Sequence, residues 1–179
     1  MSKNIVILSG SPRKGGNTDI LAAAFCEGAK SAGKNVTLFR VADMTIGGCT
    51  GCEHCFKEVG VCCQKDDMIH ILEALRKADV LVLASPVYHF DVTAQLKLAL
   101  DRQYALFNEK TPIKRTALLM CCADDDIGTA KGAVSMYETW LSFAKWEDAG
   151  IIIIPGVHEP GAIAGNEGLD KVRALGVSI

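Results

Sequence analysis

Apolar residues enter this chain in short blocks bounded by turn residues. Asn4-Ile-Val-Ile-Leu8, Val80-Leu-Val-Leu-Ala84, Thr116-Ala-Leu-Leu-Met120 and Ile151 to Ile154 are near-continuous apolar runs of strand length. Such runs fit strands covered on both faces rather than one. Asn35 to Val41 adds one more strand. Between them the apolar spacing becomes helical. Thr18 to Ser31 is Ala-rich and stops at Gly33; Val92 to Leu106, Lys131 to Lys145 and Gly168 to Leu175 also read as helices. Asp66-Asp67 opens another, with Met68, Ile71, Leu72 and Leu75 on one face. Each of those acids favours the positive helix end by about 0.3–1 kcal/mol. Strands alternating with helices predict a parallel sheet covered on both faces. Such sheets bind ligands beyond the carboxyl ends of their strands. The loops after Leu8, Ala84 and Cys122 are therefore the places to search.

Composition narrows the class without choosing a function. A chain of 179 residues can bury roughly 70% of its unfolded surface, and a single domain over residues 1–179 is expected. Apolar residues make up 49%, charged residues 22%, and the net charge is −2. That balance gives no electrostatic case for nucleic acid or a membrane surface. No apolar run approaches the ~20 residues that span a bilayer. The chain starts directly on a strand with no signal-peptide pattern, so a cytoplasmic location is expected. Thiols there stay mostly reduced, which disfavours structural disulfides.

The first loop, Ser9-Gly-Ser-Pro-Arg-Lys-Gly-Gly-Asn-Thr18, joins a strand to a helix. Its glycines admit close backbone approach. Ser9, Ser11, Asn17 and Thr18 offer donors, Arg13 a cationic fork, and the helix its amide end. This suits a phosphate monoester. The plainer reading is a turn that only caps the helix. The pattern is neither a P-loop nor the G-x-G-x-x-G dinucleotide fingerprint. In the second loop Pro86 stiffens the backbone. Tyr88, His89 and Phe90 can wall a flat ring, and the amides of Val87 and Tyr88 can bond its polar edge. Taken alone, such an aromatic cluster reads as core; the phosphate loop beside it favours a cofactor. The third loop carries three acids, Asp124 to Asp126, which read as a solvated segment; Ala123 and Asp124 are weaker ring contacts. Cys121 and Cys122 alternate on a strand end, so one is expected toward the core and one toward the cleft. Cys26 reads as a small buried hydrophobe.

Five of the eight cysteines fall between Cys49 and Cys63, in a Gly-rich loop at 47–65. Cys49, Cys52, Cys55 and Cys62 give C-x2-C-x2-C-x6-C, a set able to wrap a four-iron four-sulfur cluster. Cys63 could replace Cys62. Zinc, with His54 joining the thiols, and a metal-free redox pair are the rivals.

Gly10-Ser-Pro-Arg-Lys-Gly-Gly-Asn-Thr18 resembles the FMN-phosphate loop of the NADPH-dependent FMN reductase family, flavodoxin-like in fold. Ser85-Pro-Val-Tyr88, through Leu96-Lys-Leu-Ala-Leu-Asp-Arg102, is similar to that family's second flavin-contacting motif; Lys97, Asp101 and Arg102 are read as mainly structural. The cysteine spacing and Gly60-Val-Cys-Cys-Gln-Lys-Asp-Asp-Met68 resemble the iron–sulfur flavoprotein branch. The resemblance implies an α/β, flavodoxin-like five-stranded parallel sheet with helices on both faces. It implies FMN, with NADPH or NADH or a ferredoxin-like donor as reductant and a quinone, flavin or similar small molecule as acceptor. It further implies a homodimer or homotetramer with flavin sites near subunit interfaces. In the cluster-bearing form the cysteine loop is expected next to the flavin ring. The alternative is a flavin-free thiol or metal sensor.

Overall fold

The computed structural model describes residues 2–179. Its strands are β1 (Asn4–Ser9), β2 (Asn35–Arg40), β3 (Val80–Pro86), β4 (Arg115–Cys121) and β5 (Glu147–Ile154). Its α-helices are α1 (Asn17–Ser31), α2 (His54–Lys57), α3 (Met68–Leu75), α4 (Ala94–Arg102), α5 (Lys131–Ala144) and α6 (Gly168–Ser178). All five strands pair in parallel, in the order β2-β1-β3-β4-β5. This is the flavodoxin-like order, whose switch point lies between β1 and β3.

The period of two along each strand divides the core. Ile5 and Ile7, Val80 and Val82, and Ala117 and Leu119 face α1 and α6. Their neighbours Val6 and Leu8, Leu81 and Leu83, and Leu118 and Met120 face α3, α4 and α5. Both sets are almost fully buried, and each large aliphatic side chain so buried stabilises by about 1.5–3 kcal/mol. Helices α1 and α6 approach so closely that a Cβ on Gly28 would lie 2.0 Å from the Arg173 carbonyl oxygen.

The element boundaries differ from expectation in several places; α6, expected to end at Leu175, runs on to Ser178. β5 begins four residues early, at Glu147, because an edge strand tolerates polar residues; Asp148 accepts a 2.8 Å bond from the Tyr137 hydroxyl. The helix expected over Val92 to Leu106 is α-helical only to Arg102 and then tightens into a 3-10 turn, Gln103–Leu106. The cysteine window, expected to be irregular, contains the single turn α2. No described helix is long and apolar enough to cross a membrane.

Candidate functional site

At the carboxyl end of β1 the chain turns sharply into α1. Gly16 caps the helix without a side chain, so the Asn17 and Thr18 amides take no side-chain cap, while the Asp19 amide donates to the Gly16 carbonyl at 3.0 Å. Gly10 lies against α4: its carbonyl accepts a 2.8 Å bond from Thr93 Oγ1, and a Cβ there would come within 2.5 Å of that oxygen. Gly15, at φ +66°, makes the left-handed turn. Ser11, Arg13, Asn17 and Thr18 all line one cavity of about 240 Å³. Ser9 does not, since its hydroxyl is buried beneath the loop without a partner. Asn17 holds the cleft rather than offering free donors. Its amide nitrogen donates to the carbonyls of Val157 (3.0 Å) and Glu159 (2.9 Å), and its oxygen accepts from the Ile163 amide at 3.2 Å. Arg13 reaches the same segment, donating to the His158 carbonyl at 3.1 Å.

That segment, after β5, is the wall that sequence reasoning missed: Val157 and His158 line the cavity. The signal was available, because it too follows a strand's carboxyl end and is rich in Pro and Gly. The second loop supplies Pro86, Val87 and Tyr88. The amides of Val87 and Tyr88, expected to bond a ring, are already engaged by the carbonyls of Cys121 and Asp91, each at 2.9 Å. His89 and Phe90 lie outside the cavity, both at positive φ (48° and 67°), in a tight turn that leaves the Phe90 ring 63% exposed. Of the third loop, Ala123 lines the cavity and Asp124 does not. The Asp124 carboxylate instead accepts from the Asp126 amide at 2.9 Å, and the acidic run faces solvent. Cys121 belongs to the buried cluster beneath α1 and Cys122 to neither buried cluster, but both are buried and both line the cavity. Burial pushes both thiols above their ordinary range.

The cysteine window forms a second, separate cavity. Cys49, Cys52, Cys55, Cys62 and Cys63 all face it. All are free thiols, and Cys52 Sγ lies 3.4 Å from Cys63 Sγ. The His54 amide, and then the Cys63 thiol, hold the Cys52 thiol below its usual range, while the bond to Cys52 pushes Cys63 up. A polar clasp closes the base of the loop. Arg102 forks onto Asp66 at 2.7 and 3.0 Å and donates to the Gly47 carbonyl at 2.9 Å; Asp66 accepts from the Gly47 amide at 2.9 Å. Burial works against the Asp66 carboxylate, but the Arg102 guanidinium and the amides of Gly47 and Met68 outweigh it and hold the group below the usual carboxylate range. Among the described residues, no three or more His, Cys, Asp or Glu side chains converge tightly enough to hold a single metal ion. A closed zinc site with 2.3 Å bonds would draw its sulfurs to about 3.8 Å from one another. The donor set itself, four thiols from one loop around one cavity, suits a cluster.

The two cavities share no lining residue. Helix α4 runs between them, from Thr93 beside the first loop to Arg102 beside the cysteines, a rise of about 13 Å. The adjacency expected between the cysteine loop and the flavin ring is thus not formed by these two cavities within one chain. A larger cavity of about 750 Å³, lined by Phe107, Trp140 and Trp146, lies at the opposite end of the sheet, away from the donors of the first loop.

A sequence model of the NADPH-dependent FMN reductase family matches residues 3–154. An iron–sulfur flavoprotein of Methanocaldococcus jannaschii is 38% identical over 102 residues, which are 57% of this chain and 52% of that one. One from Archaeoglobus fulgidus is 39% identical over 93 residues, 52% of this chain and 42% of its own. The chain spans about half the length of these curated relatives. Among solved structures, an NAD(P)H:quinone oxidoreductase from Methanothermobacter marburgensis superposes with a TM-score of 0.76 at 21% identity, over 99% of this chain and 96% of that one. That likeness speaks for the fold. The first-loop motif, the strand order and the family match over residues 3–154 agree: the chain belongs to the NADPH-dependent FMN reductase family.

Proposed function

We propose that this protein is an FMN-dependent oxidoreductase that draws electrons from NADPH or NADH, or from a ferredoxin-like donor, and delivers them to a small acceptor such as a quinone or flavin. The observation that carries the reading is the uncapped amide end of α1, opening into a cavity lined by Ser11, Arg13 and Thr18. A phosphate monoester there would find amides, hydroxyls and a guanidinium together, which a simple capping turn does not need. FMN, when bound, accepts a hydride pair and releases electrons singly. The chain's own part is to bind and orient. Ser11 and Thr18 would hold the phosphate, Asn17 fixes the wall after β5, and Val87 and Tyr88 form the rim on which the ring would rest. No side chain need act as acid or base.

The cysteine loop is proposed to hold a four-iron four-sulfur cluster through Cys49, Cys52, Cys55 and Cys62. The shared cavity and the names of the relatives support this. A cytoplasmic homodimer or homotetramer, built from a single FMN-binding domain, completes the proposal. Anaerobic purification tests it. A flavin spectrum, or thermal stabilisation by added FMN, is expected, together with about four iron and four sulfide per chain. A colourless protein indifferent to FMN would sink the flavin reading. Failure to oxidise either NADH or NADPH with a quinone present would remove nicotinamide as the donor.

A further inference from the structure

Among the described residues, Arg102 is the one arginine or lysine lining the cysteine cavity. Its side chain is 1% exposed. One terminal nitrogen donates to Asp66, the Gly47 carbonyl and Gln64 Oε1; the other donates to Asp66. The remaining Nε–H is buried without a partner. A buried arginine N–H in native structure normally finds an acceptor. The cavity that Arg102 lines offers thiol sulfurs as acceptors, Cys62 among them. Cys62 is half-buried and packs against the core, whereas Cys63 is exposed and turned toward Cys52.

We infer that Arg102 is a positioning residue for the sulfur centre: its Nε–H donates to the Cys62 sulfur, selects Cys62 over Cys63 as fourth ligand, and holds the centre at a more positive potential. The inference rests on the reading that the loop carries a cluster. Hydrogen bonds to ligand sulfurs and nearby positive charge raise such potentials, because they favour the more negative reduced form. Asp66 balances the arginine's charge through the two terminal nitrogens and leaves Nε free. A purely structural clasp would need the Asp66 and Gly47 bonds and would not need a buried, unpaired Nε on a residue that lines the thiol cavity.

The test uses the full chain, reconstituted anaerobically with iron and sulfide. Iron and sulfide content, FMN content and the midpoint potential from an EPR-monitored titration are read for wild type, Arg102→Lys, the neutral double variant Arg102→Gln/Asp66→Asn, Cys62→Ala and Cys63→Ala. The double variant removes both charges, so no buried carboxylate is stranded. Cys63→Ala is expected to load like wild type and Cys62→Ala to lose the cluster. Loaded Arg102 variants are expected to titrate at a more negative potential, the neutral one furthest, with FMN content unchanged. A fully loaded Arg102 variant at the wild-type potential overturns the inference, as does loss of the cluster in Cys63→Ala with retention in Cys62→Ala. If neither Arg102 variant loads, the two alanine variants decide it alone. A wild type that never loads overturns the cluster reading itself, and this inference with it.

Discussion

Asn17 shows how far a residue's role can depart from its motif. Its place in the first loop suggested a phosphate donor, but its three hydrogen bonds run to residues 157–163, 140 to 146 positions away. No local pattern reveals such partners, because they are set by how the strands are ordered. Removing these three bonds, two of them buried, at about 0.5–1.5 kcal/mol each should make Asn17→Ala less stable by about 2 kcal/mol. A fall in Tm of about 4–8 °C follows for a chain of this size, with weaker FMN binding. An unchanged Tm would show that the segment after β5 is held otherwise. The thiols also separate by environment. In the metal-free protein Cys52, held down by the His54 amide and Cys63, should alkylate well before Cys121 and Cys26, which burial pushes up. Mass spectrometry after brief iodoacetamide treatment reads the order, and early labelling of Cys121 would contradict it. The amides of Val87 and Tyr88 were misjudged for a related reason. Their residues reach the site, but sequence does not show that Cys121 and Asp91 already hold their hydrogens.

Among the elements, the strands were legible wherever burial on both faces wrote a continuous apolar run. β5 was legible only in its second half, since Glu147 and Asp148 at a sheet edge carry no such mark. The wall after β5 escaped notice because its contribution is mostly backbone. Close approach of two elements is equally hard to read from composition. Gly28 of α1 meets Arg173 of α6, and Gly176 meets the Phe25 carbonyl, at distances no Cβ tolerates. Gly28→Ala should therefore push α6 outward and destabilise by about 1–3 kcal/mol, while the cavity at the other end of α1 still binds FMN. Gly10→Ala should do the reverse in emphasis. Its Cβ would strike Thr93 Oγ1 and Leu96 Cβ, at 2.5 and 2.7 Å, in the joint between first loop and α4. Thermal unfolding and FMN titration of both variants separate the effects; equal loss of FMN binding in the two would refute the distinction.

For the whole molecule, the fold and the loop that lines the first cavity were open to reading from sequence, and the geometry linking the two candidate centres was not. That geometry depends on the length of α4 and on a clasp assembled from Gly47, Gln64, Asp66 and Arg102, which only the folded chain brings together. The clasp gives a pH dependence with a definite sign. Asp66 titrates below its unfolded value of 3.8, despite burial, because Arg102 and two amides hold the charged form; Glu109 is likewise held down by Arg76. Their stabilisation is complete only above about pH 5, clear of the unfolded values of 3.8 for Asp66 and 4.5 for Glu109, and is lost as pH falls through the lowered folded values. The Gly47 and Met68 amides, which donate to Asp66, should therefore shift by NMR only below about pH 4. A midpoint above that would mean the carboxylate is not held down.

The bonds from Asn17 to the segment after β5 also fix an order of events during synthesis. The wall that closes the first loop is translated some 140 residues after the loop itself. At about 5–20 residues per second, that side of the loop stays open for about 7–28 seconds, however early β1 and α1 form. Cofactor capture is then a late event, and a nascent chain stalled before Val157 would carry the recognisable FMN motif without a closed place to keep the cofactor.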